Sequence, residues 1–371
     1  MLAADGRDVV MLEEHDKIGV PVQCAGVVSD SFLRSIPVSP EIVSCIRHAR
    51  VVFPGGRTLE LERSSPFGYM IDRTDLDVKL ADYAVKNGVD LRMGTCFNTV
   101  VHNPNSVTVV TNKGEIEGDI LVGADGHDSP VAATIGAGYS KEYLIGYQVD
   151  VPAREDTEQG TMVLKMGNKV APGLFAWTIP RDDDTVRYGL CVSPGAGSPT
   201  AYIKSLLKAD GYDFETDVTE KYGGKIPLGY RSTTVGERTL LIGDAASHVK
   251  PVSAGGLVPI ATIAPILRDT IHEAYENNLF TNAVLGQYEI EWKRTMGHVF
   301  DRGMQMRKIY CGLSDRFMDD VGEIFDTPEI REMLAGIDID DPAGIVGPIL
   351  GVKGVKSKLA KTFLKAKLCR K

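Results

Sequence analysis

The chain has 371 residues, a length that predicts two or three packed units, and its 43% hydrophobic content is ordinary for a globular protein. The formal net charge of −9 argues against nucleic acid as a partner, and no apolar run approaches the roughly 18–20 residues that a membrane-spanning helix requires. The six cysteines form no C-x-x-C pair, so neither a metal site nor a redox dithiol is indicated. Because the first residues also lack the pattern of a signal peptide, we expect a reduced, cytoplasmic setting.

The chain begins with a short strand that ends in acid. Residues 9–12 are apolar, and Glu13 follows them. In a dinucleotide-binding fold this pattern is typical of the second strand, whose terminal carboxylate binds a ribose; the alternative is an ordinary surface strand ending in glutamate. Residues 1–5, with Gly6 as C-cap, resemble only the last turn of the helix before that strand. We therefore expect the first strand, the G-x-G-x-x-G turn and most of the first helix to be missing from the recorded chain.

The next feature is a cysteine flanked by proline and glycine. Residues 18–27 are Ile-Gly-Val-Pro-Val-Gln-Cys-Ala-Gly-Val, and a free cysteine such as Cys24 is most often a small buried hydrophobe. The segment closely resembles the cysteine-containing loop of the geranylgeranyl reductase family, whose members reduce isoprenoid double bonds with FAD. In that family the loop lies over the flavin. The resemblance implies that Cys24, Ala25 and Val27 contact FAD and that Cys24 is the candidate catalytic residue.

A hairpin and a helix come next. Residues 51–61 turn on Pro-Gly-Gly, which predicts a β-hairpin. A helix is predicted to about residue 87, with Thr74 as its N-cap and Gly88 after its end. Arg73, at the junction before this helix, matches the flavin-contacting arginine of the family. An arginine in such a place is equally typical of a surface ion pair.

An apolar strand then leads into Gly-Ala-Asp-Gly-His-Asp-Ser at residues 123–129. The Asp125-Gly126 pair permits a tight turn. This order resembles another signature of the p-hydroxybenzoate hydroxylase superfamily, to which the geranylgeranyl reductases belong. The resemblance implies that Phe97 and Asp125 lie at the cofactor. The family usually has an arginine soon after the serine, and the valine and alanine found here remove any charge at that position.

Residues 136–234 interrupt the nucleotide-binding pattern with segments that alternate or run apolar, which predicts an antiparallel sheet. Phe175, Trp177 and Pro180 lie in a sequence similar to the family's Tyr-x-Trp-x-Phe-Pro motif, which lines a lipid-binding cavity. Two aromatic positions of the motif differ, so the cavity that the resemblance implies is apolar but lacks the tyrosine hydroxyl. Some flavin halogenases have a related Trp-x-Trp-x-Ile-Pro sequence here, and an aromatic core strand is a further alternative.

The stretch from Leu240 to Leu257 organises the second half of the chain. A short apolar strand ends at Asp244, and paired glycines precede an apolar helix. The carboxylate can accept hydrogen bonds from ligand hydroxyls, and the helix start offers free N–H groups and partial positive charge. A buried strand with a capping aspartate is the alternative. The order Gly-Asp-Ala-Ala, proline, Gly-Gly resembles the second flavin-contacting motif of the superfamily, which implies that Asp244 binds the ribityl chain and that Gly256 and Leu257 lie at the flavin.

The last residues, 351–371, carry eight lysines and arginines and no acid. Apolar side chains recur there at three- and four-residue steps, which predicts a basic amphipathic helix. Such a helix lies on an anionic membrane, or it packs on the protein with its charges in water. A lipid substrate would favour the membrane.

These observations predict an α/β fold in which a Rossmann-like FAD-binding unit is interleaved with an antiparallel substrate unit. We expect FAD-binding segments at 1–135, which is N-terminally truncated, and 235–300, a substrate domain at 136–234, and a helical region at 301–371. The resemblance implies FAD-dependent reduction of geranylgeranyl double bonds in archaeal membrane diether lipids. The partners would be an isoprenoid lipid, an electron donor such as NAD(P)H or ferredoxin, and the inner membrane face.

Two alternatives to this reductase remain open from the sequence. A flavin monooxygenase or halogenase has the same fold, and fold alone does not choose the reaction. A remnant that has lost its cofactor is the other alternative. Because the turn that would hold the pyrophosphate is missing, we also expect residues 1–371 alone to bind FAD poorly.

Overall fold

The computed structural model describes residues 1–138, 140 and 142–368 of the chain, with side chains described as far as residue 363. In this part of the chain, strands and helices interleave, and a helical region follows residue 257. The α/β class predicted from the sequence is confirmed.

The strands fall into five sheets in the described ranges. In chain order they are β1 (Val10–Leu12), β2 (Val27–Val28), β3 (Ile42–Ile46), β4 (His48–Val52), β5 (Thr58–Glu62), β6 (Gly68–Ile71), β7 (Asp90–Arg92), β8 (Phe97–His102), β9 (Val107–Thr111), β10 (Gly114–Gly118), β11 (Leu121–Gly123), β12 (Glu142–Pro152), β13 (Thr161–Met166), β14 (Gly173–Pro180), β15 (Thr185–Val192), β16 (Glu220–Leu228), β17 (Val235–Gly236) and β18 (Thr239–Leu241).

The α-helices are α1 (Asp30–Ser35), α2 (Arg73–Lys86), α3 (Pro130–Thr134), α4 (Pro199–Ala209), α5 (Leu257–Glu276), α6 (Asn282–Trp292), α7 (His298–Cys311), α8 (Asp315–Phe325), α9 (Pro328–Ala335), α10 (Val346–Gly351) and α11 (Val355–Leu368). A π-helical turn, Lys293–Gly297, joins α6 to α7. Short 3₁₀ turns lie at Gly243–Ala246 and Pro342–Ile345.

The largest sheet has seven strands in the order β16-β12-β15-β14-β13-β4-β5. Its neighbours are antiparallel except β13 and β4, which pair in parallel with Thr161 opposite His48. The antiparallel sheet predicted within residues 136–234 is present, with β12 to β15 as neighbouring strands. The structure adds β16 at one edge and places the hairpin β4–β5 at the other edge, although the hairpin lies in the segment predicted to bind FAD. It joins this sheet because the edge of β13 offers free backbone groups that β4 completes.

Two pairs of parallel strands lie in the segments predicted to bind FAD. β1 pairs with β7, and β11 pairs with β18, in separate sheets among the described residues. Val10 and Met11 are 41% and 42% exposed, whereas Leu240 and Leu241 are fully buried. The expectation that a strand, turn and helix are missing before residue 1 stays a prediction.

The start of α2 differs from the sequence prediction. The N-cap is Asp72, whose carboxylate accepts a hydrogen bond of 2.9 Å from the backbone N–H of Asp75. Thr74 as N-cap was therefore wrong; its hydroxyl donates to the carbonyl of Gly19 at 3.3 Å. Aspartate and threonine are both good caps, and the position of the first helical turn decides between them. Arg73 becomes the first residue of α2.

The helical C-terminal region packs its last helix through the apolar side. Val355 is buried with residues of α8, α9 and α10, and Leu359 packs against the same cluster. The ring of Phe363 meets that of Phe317 edge to face, with centroids 6.2 Å apart. Residues 369–371 of the predicted basic helix lie outside the described residues. Among the helices that the structure describes, none is both long enough and apolar enough to cross a membrane.

Candidate active site

Cys24 lies in the loop between β1 and β2, and neighbouring backbone holds this loop tightly. The N–H of Ile71 donates to the carbonyl of Gly26 at 2.9 Å. A Cβ at position 26 would lie 2.7 Å from the carbonyl oxygen of Ile71, and Gly26 has a φ of +84°, so glycine is required here. The half-buried thiol of Cys24 accepts a hydrogen bond of 3.4 Å from the N–H of Gly26. Val27 then continues into β2.

Arg73 meets this loop from the start of α2. Its guanidinium donates to both carboxylate oxygens of Asp77, at 3.0 and 3.1 Å. Burial works against its charge, but Cys24 and Asp77 together raise the pKa of the guanidinium above its ordinary value. The Nε atom is buried and has no partner among the described residues. Arg73 therefore places a positive charge and an unused hydrogen-bond donor beside Cys24.

Asp244 and the start of α5 lie near Arg73 and the Cys24 loop. Burial raises the pKa of the Asp244 carboxyl to about 6, and the positive charge of Arg73 opposes this shift. Gly256 precedes α5 and provides no side-chain cap, and a Cβ on it would lie 3.2 Å from Asp244 Oδ1. Leu257 packs with Ile71 near the Cys24 loop. A buried carboxylate, a guanidinium and an uncapped helix N-terminus thus lie together.

An aromatic pair stands against the loop that follows Asp244. Phe175 and Trp177 of β14 have ring centroids 6.3 Å apart, and both pack against the buried cluster that includes Val249. The indole ring occupies the space over Gly189, where a Cβ would overlap it. Its buried Nε1 has no partner in the described part of the chain. The two aromatic side chains form an apolar wall next to the predicted flavin motif.

Pro180 lies on the other face of the same strand. Side chains alternate along a strand, so Trp177 and Pro180 point in opposite directions. Pro180 lines a surface pocket together with Thr178 and Tyr188, on the side that α4 covers. The structure therefore brings two of the three predicted substrate residues together and separates the third from them.

Three other predicted cofactor residues make their hydrogen bonds and packing contacts with neighbours other than Cys24, Arg73 and Asp244. Glu13 Oε1 accepts a hydrogen bond of 2.9 Å from the backbone N–H of His15 at the end of β1. Asp125 accepts hydrogen bonds from the Ser129 hydroxyl at 2.5 Å and from the Val131 N–H at 3.0 Å, at the start of α3. Phe97 begins β8 and packs against the buried cluster around α3. Their contacts with a cofactor stay predictions.

Sequence reasoning missed a buried polar network beneath the Cys24 loop. Asp150 and Arg187 are only 1% and 4% exposed, and the Nε and Nη2 atoms of the arginine each donate to the carboxylate at 2.7 Å. Tyr222 also donates to Asp150, at 3.2 Å. Gln148 donates to the carbonyl of Cys24 at 3.0 Å. The signal that could have found it is the pair of polar residues two positions apart, Gln148 and Asp150, in the otherwise apolar residues 144–152 of β12.

Comparison with known proteins identifies the family. Residues 2–258 match the FAD binding domain family. Digeranylgeranylglycerophospholipid reductase 2 of Methanothermobacter thermautotrophicus is 30% identical over 331 residues, which cover 85% of this chain and 84% of the relative. The chain belongs to the geranylgeranyl reductase family. A digeranylgeranylglycerophospholipid reductase of Methanocaldococcus jannaschii is 25% identical over 91% of this chain and 88% of its own length.

Solved structures agree on the fold. A geranylgeranyl bacteriochlorophyll reductase-like protein from Thermoplasma acidophilum superposes with a TM-score of 0.83 at 18% identity, covering 97% of this chain and 94% of that one. The halogenase PltM, in complex with phloroglucinol and FAD, gives a TM-score of 0.67 at 15% identity, with 97% and 82% covered. The predicted family, the FAD cofactor and the class of enzyme are confirmed: the protein is an FAD-dependent oxidoreductase.

The residues around Asp244 fit FAD. The pKa of the carboxyl is raised because burial removes it from water, and ligand hydroxyls would supply the hydrogen bonds that favour its charged form. The unpartnered Nε of Arg73 and the uncapped N–H groups at Gly256 offer donors to the polar edge of a flavin. The family's cofactor therefore matches what these groups lack.

Proposed function

We propose that the protein reduces carbon–carbon double bonds of geranylgeranyl chains, with archaeal diether phospholipids as substrate. The observation that carries the proposal is the position of Phe175 and Trp177. They form an apolar wall against the cluster that includes Val249, in the loop after Asp244. Trp177 and Gln148 both lie opposite Gly189, so Trp177 shares a sheet face with the side chain that binds the Cys24 loop. An isoprenoid chain lying on this wall would meet the cysteine and the flavin motif together. The names of the related reductases support the same substrate class.

The chain's own residues divide the task. Once bound and reduced, FAD would supply hydride to one carbon of an alkene, and the other carbon would need a proton. Asp244 and the N-terminus of α5 orient the cofactor, and the aromatic wall holds the apolar chain and excludes water. The Cys24 thiol is the proton donor in our proposal, and the guanidinium of Arg73 lies beside it. NAD(P)H or ferredoxin would be the source of the electrons.

An anaerobic assay tests this activity. The full chain, FAD, dithionite and a geranylgeranyl diether lipid are incubated together, and the lipid is analysed by mass spectrometry. We expect a gain of two hydrogen atoms for each double bond reduced, with Cys45→Ser, a change at an exposed cysteine, behaving as the parent. An unchanged lipid, together with oxygen consumption in the presence of NAD(P)H or incorporation of halide, would instead indicate the monooxygenase or halogenase alternative.

We also propose that α11 attaches the protein to the inner face of the membrane. Its apolar side is used for packing, so the contact would be electrostatic and made by the exposed lysines 356, 358 and 361 of the helix and by lysine 353 just before it. Replacing these four of the eight basic residues with glutamine should weaken salt-sensitive binding to vesicles that contain anionic lipid. Equal partition of parent and variant would leave α11 as a solvated terminal helix.

A further inference from the structure

The Cys24 loop is held by side chains from the substrate sheet as well as by its own neighbours. The carbonyl of Cys24 accepts hydrogen bonds from Gln148 Nε2 at 3.0 Å and from Arg187 Nη1 at 3.3 Å. The carbonyl of Ala25 accepts from the same Arg187 nitrogen at 3.4 Å. Both carbonyls therefore depend on donors that come from strands more than a hundred residues away in the chain.

Asp150 fixes the orientation of Arg187. Its carboxylate accepts two hydrogen bonds from the guanidinium, an arrangement that locks the plane of the arginine and leaves Nη1 directed at the loop. The guanidinium carbon also lies 4.8 Å from the ring centroid of Tyr222. Burial works against the charge of Arg187, but Asp150 raises its pKa, so the arginine stays charged.

Arg181 links the carboxylate of Asp150 to the start of the helix that carries Arg73. Nη1 of Arg181 lies 3.5 Å from Asp150, and Nη2 of Arg181 donates to the carboxylate of Asp72 at 3.1 Å. Asp72 caps the helix in which Arg73 is the first residue. One chain of alternating charges thus connects the Cys24 loop to the helix start that carries its neighbouring guanidinium.

We propose that Arg187 and Asp150 are positioning residues that hold the Cys24 thiol against Arg73. Arg187 fixes the loop through its two carbonyls, Gln148 reinforces it, and Arg181 ties the same carboxylate to the start of α2. Neither arginine needs to touch substrate or cofactor for this role. The proposal concerns the geometry of Cys24 and holds for any reaction of the bound flavin, so it does not rest on the lipid substrate.

The test follows the accessibility of Cys24 by peptide-resolved alkylation. The full chain in excess FAD is treated with iodoacetamide, digested with trypsin and analysed by mass spectrometry. Three cysteines fall in separate tryptic peptides, 18–34 with Cys24, 35–47 with Cys45 and 188–204 with Cys191. Cys45 is exposed, so its alkylation rate measures the reactivity of the reagent. Cys191 is buried, so its alkylation rate measures global unfolding.

We expect Asp150→Asn and Arg187→Lys each to raise the alkylation rate of Cys24 about tenfold, which corresponds to about 1.4 kcal/mol of lost loop anchoring. The rates at Cys45 and Cys191 should stay at the parent values. The matched control is Asp210→Asn, which removes a carboxylate paired with Lys165 at 2.8 Å near α4, away from the Cys24 loop. In that variant all three rates should equal those of the parent.

A milder variant keeps the test valid if the charged pair is needed for folding. In Gln148→Met the donor to Cys24 is lost, but the buried Oε1, which has no partner in the described ranges, is lost with it, so the fold should tolerate the change. A rise of about threefold at Cys24 alone is expected. The proposal is overturned if Gln148→Met and the folded charge variants leave the rate at Cys24 unchanged, or if Cys191 rises in parallel.

Discussion

One face of the seven-stranded sheet is apolar and lies beneath α4, where Val149, Leu190 and Leu207 are fully buried. The other face of the same strands carries Gln148 and Arg187, which bind the backbone of the Cys24 loop. Alternate residues of one strand therefore serve a core on one side and a site on the other. We therefore expect substitutions of polar side chains on the face of Gln148 and Arg187 to affect the site, and substitutions on the face beneath α4 to affect stability alone.

The first prediction, and the largest expected effect, concerns the apolar face. Leu207→Ala leaves a cavity between α4 and the sheet, and we expect the free energy of unfolding to fall by about 2–5 kcal/mol. Denaturant titration measures this loss. The comparison of the two faces predicts that the variant, once folded, binds FAD and reduces substrate as the parent does. A changed affinity for FAD in the folded variant would show that the face beneath α4 affects the site as well as stability.

The second prediction concerns the thiol. Cys24→Ser should lower alkene reduction by about a hundredfold, since a positioned proton donor contributes about 10²–10⁴ in rate. FAD affinity and thermal stability should match those of the parent, because serine has nearly the same volume. Single-turnover kinetics provide the measurement, with Cys45→Ser as the matched control. Full activity in Cys24→Ser would reduce the cysteine to a packing residue.

The third prediction separates binding from stability at Asp244. In Asp244→Asn we expect FAD binding to weaken by about 1.5–3 kcal/mol, since a charged acceptor for ligand hydroxyls is lost. The ligand-free variant should nevertheless be more stable than the parent at pH 7, by at most about 3 kcal/mol, because the native carboxyl with its pKa of about 6 is ionised and buried there.

The stability that Asp244→Asn gains over the parent should depend on pH in one direction. Because the pKa of Asp244 is raised in the folded state, its buried charge destabilises the parent fully above pH 6, and this destabilisation disappears as the pH falls toward 4. The advantage of the asparagine variant should shrink over the same interval in thermal melts without FAD. An advantage that grows as the pH falls would show that Asp244 is stabilised in its charged form even without a ligand.

The fourth prediction alters the aromatic wall. In Gly189→Ala the new methyl group overlaps the indole of Trp177 and should push it toward the predicted substrate. We expect a stability loss of about 1–3 kcal/mol, typical of overpacking, together with a raised KM for the lipid. Ala176→Gly, at a buried position on the α4 face, is the matched control and should change stability without KM. Equal KM values for both variants would remove Trp177 from the substrate wall.

Features that depend on residues close together in the sequence were predicted, whereas features that depend on contacts between distant segments were not. Cys24, Asp244 and Gly256 were predicted because each lies in a short motif, rich in proline or glycine, that resembles a motif of the family. Arg73 was predicted because it matches an arginine of the family. The fold class followed from strand and helix patterns in the same way. The N-cap of α2 was missed by two residues because Asp72 and Thr74 are both suitable caps, and only the position of the first turn distinguishes them.

The rest depended on pairing between distant strands. The bond between Asp150 and Arg187 requires the register of β12 against β15, which a single sequence does not reveal. The hairpin β4–β5 joins the substrate sheet for the same reason, through its pairing with β13. Pro180 was grouped with Trp177 by motif, although counting alternate residues along β14 would have placed it on the opposite face.

We propose that electrons pass from FAD held at Asp244 to an alkene lying on the aromatic wall. The direct measurement is to reduce the flavin on the full chain, mix it with geranylgeranyl lipid without oxygen, and follow the absorbance of oxidised flavin. We predict that the absorbance returns mole for mole with the double bonds lost, and that it does so about a hundredfold more slowly in Cys24→Ser. Reoxidation that occurs only when oxygen is admitted would contradict electron transfer from the flavin to the alkene.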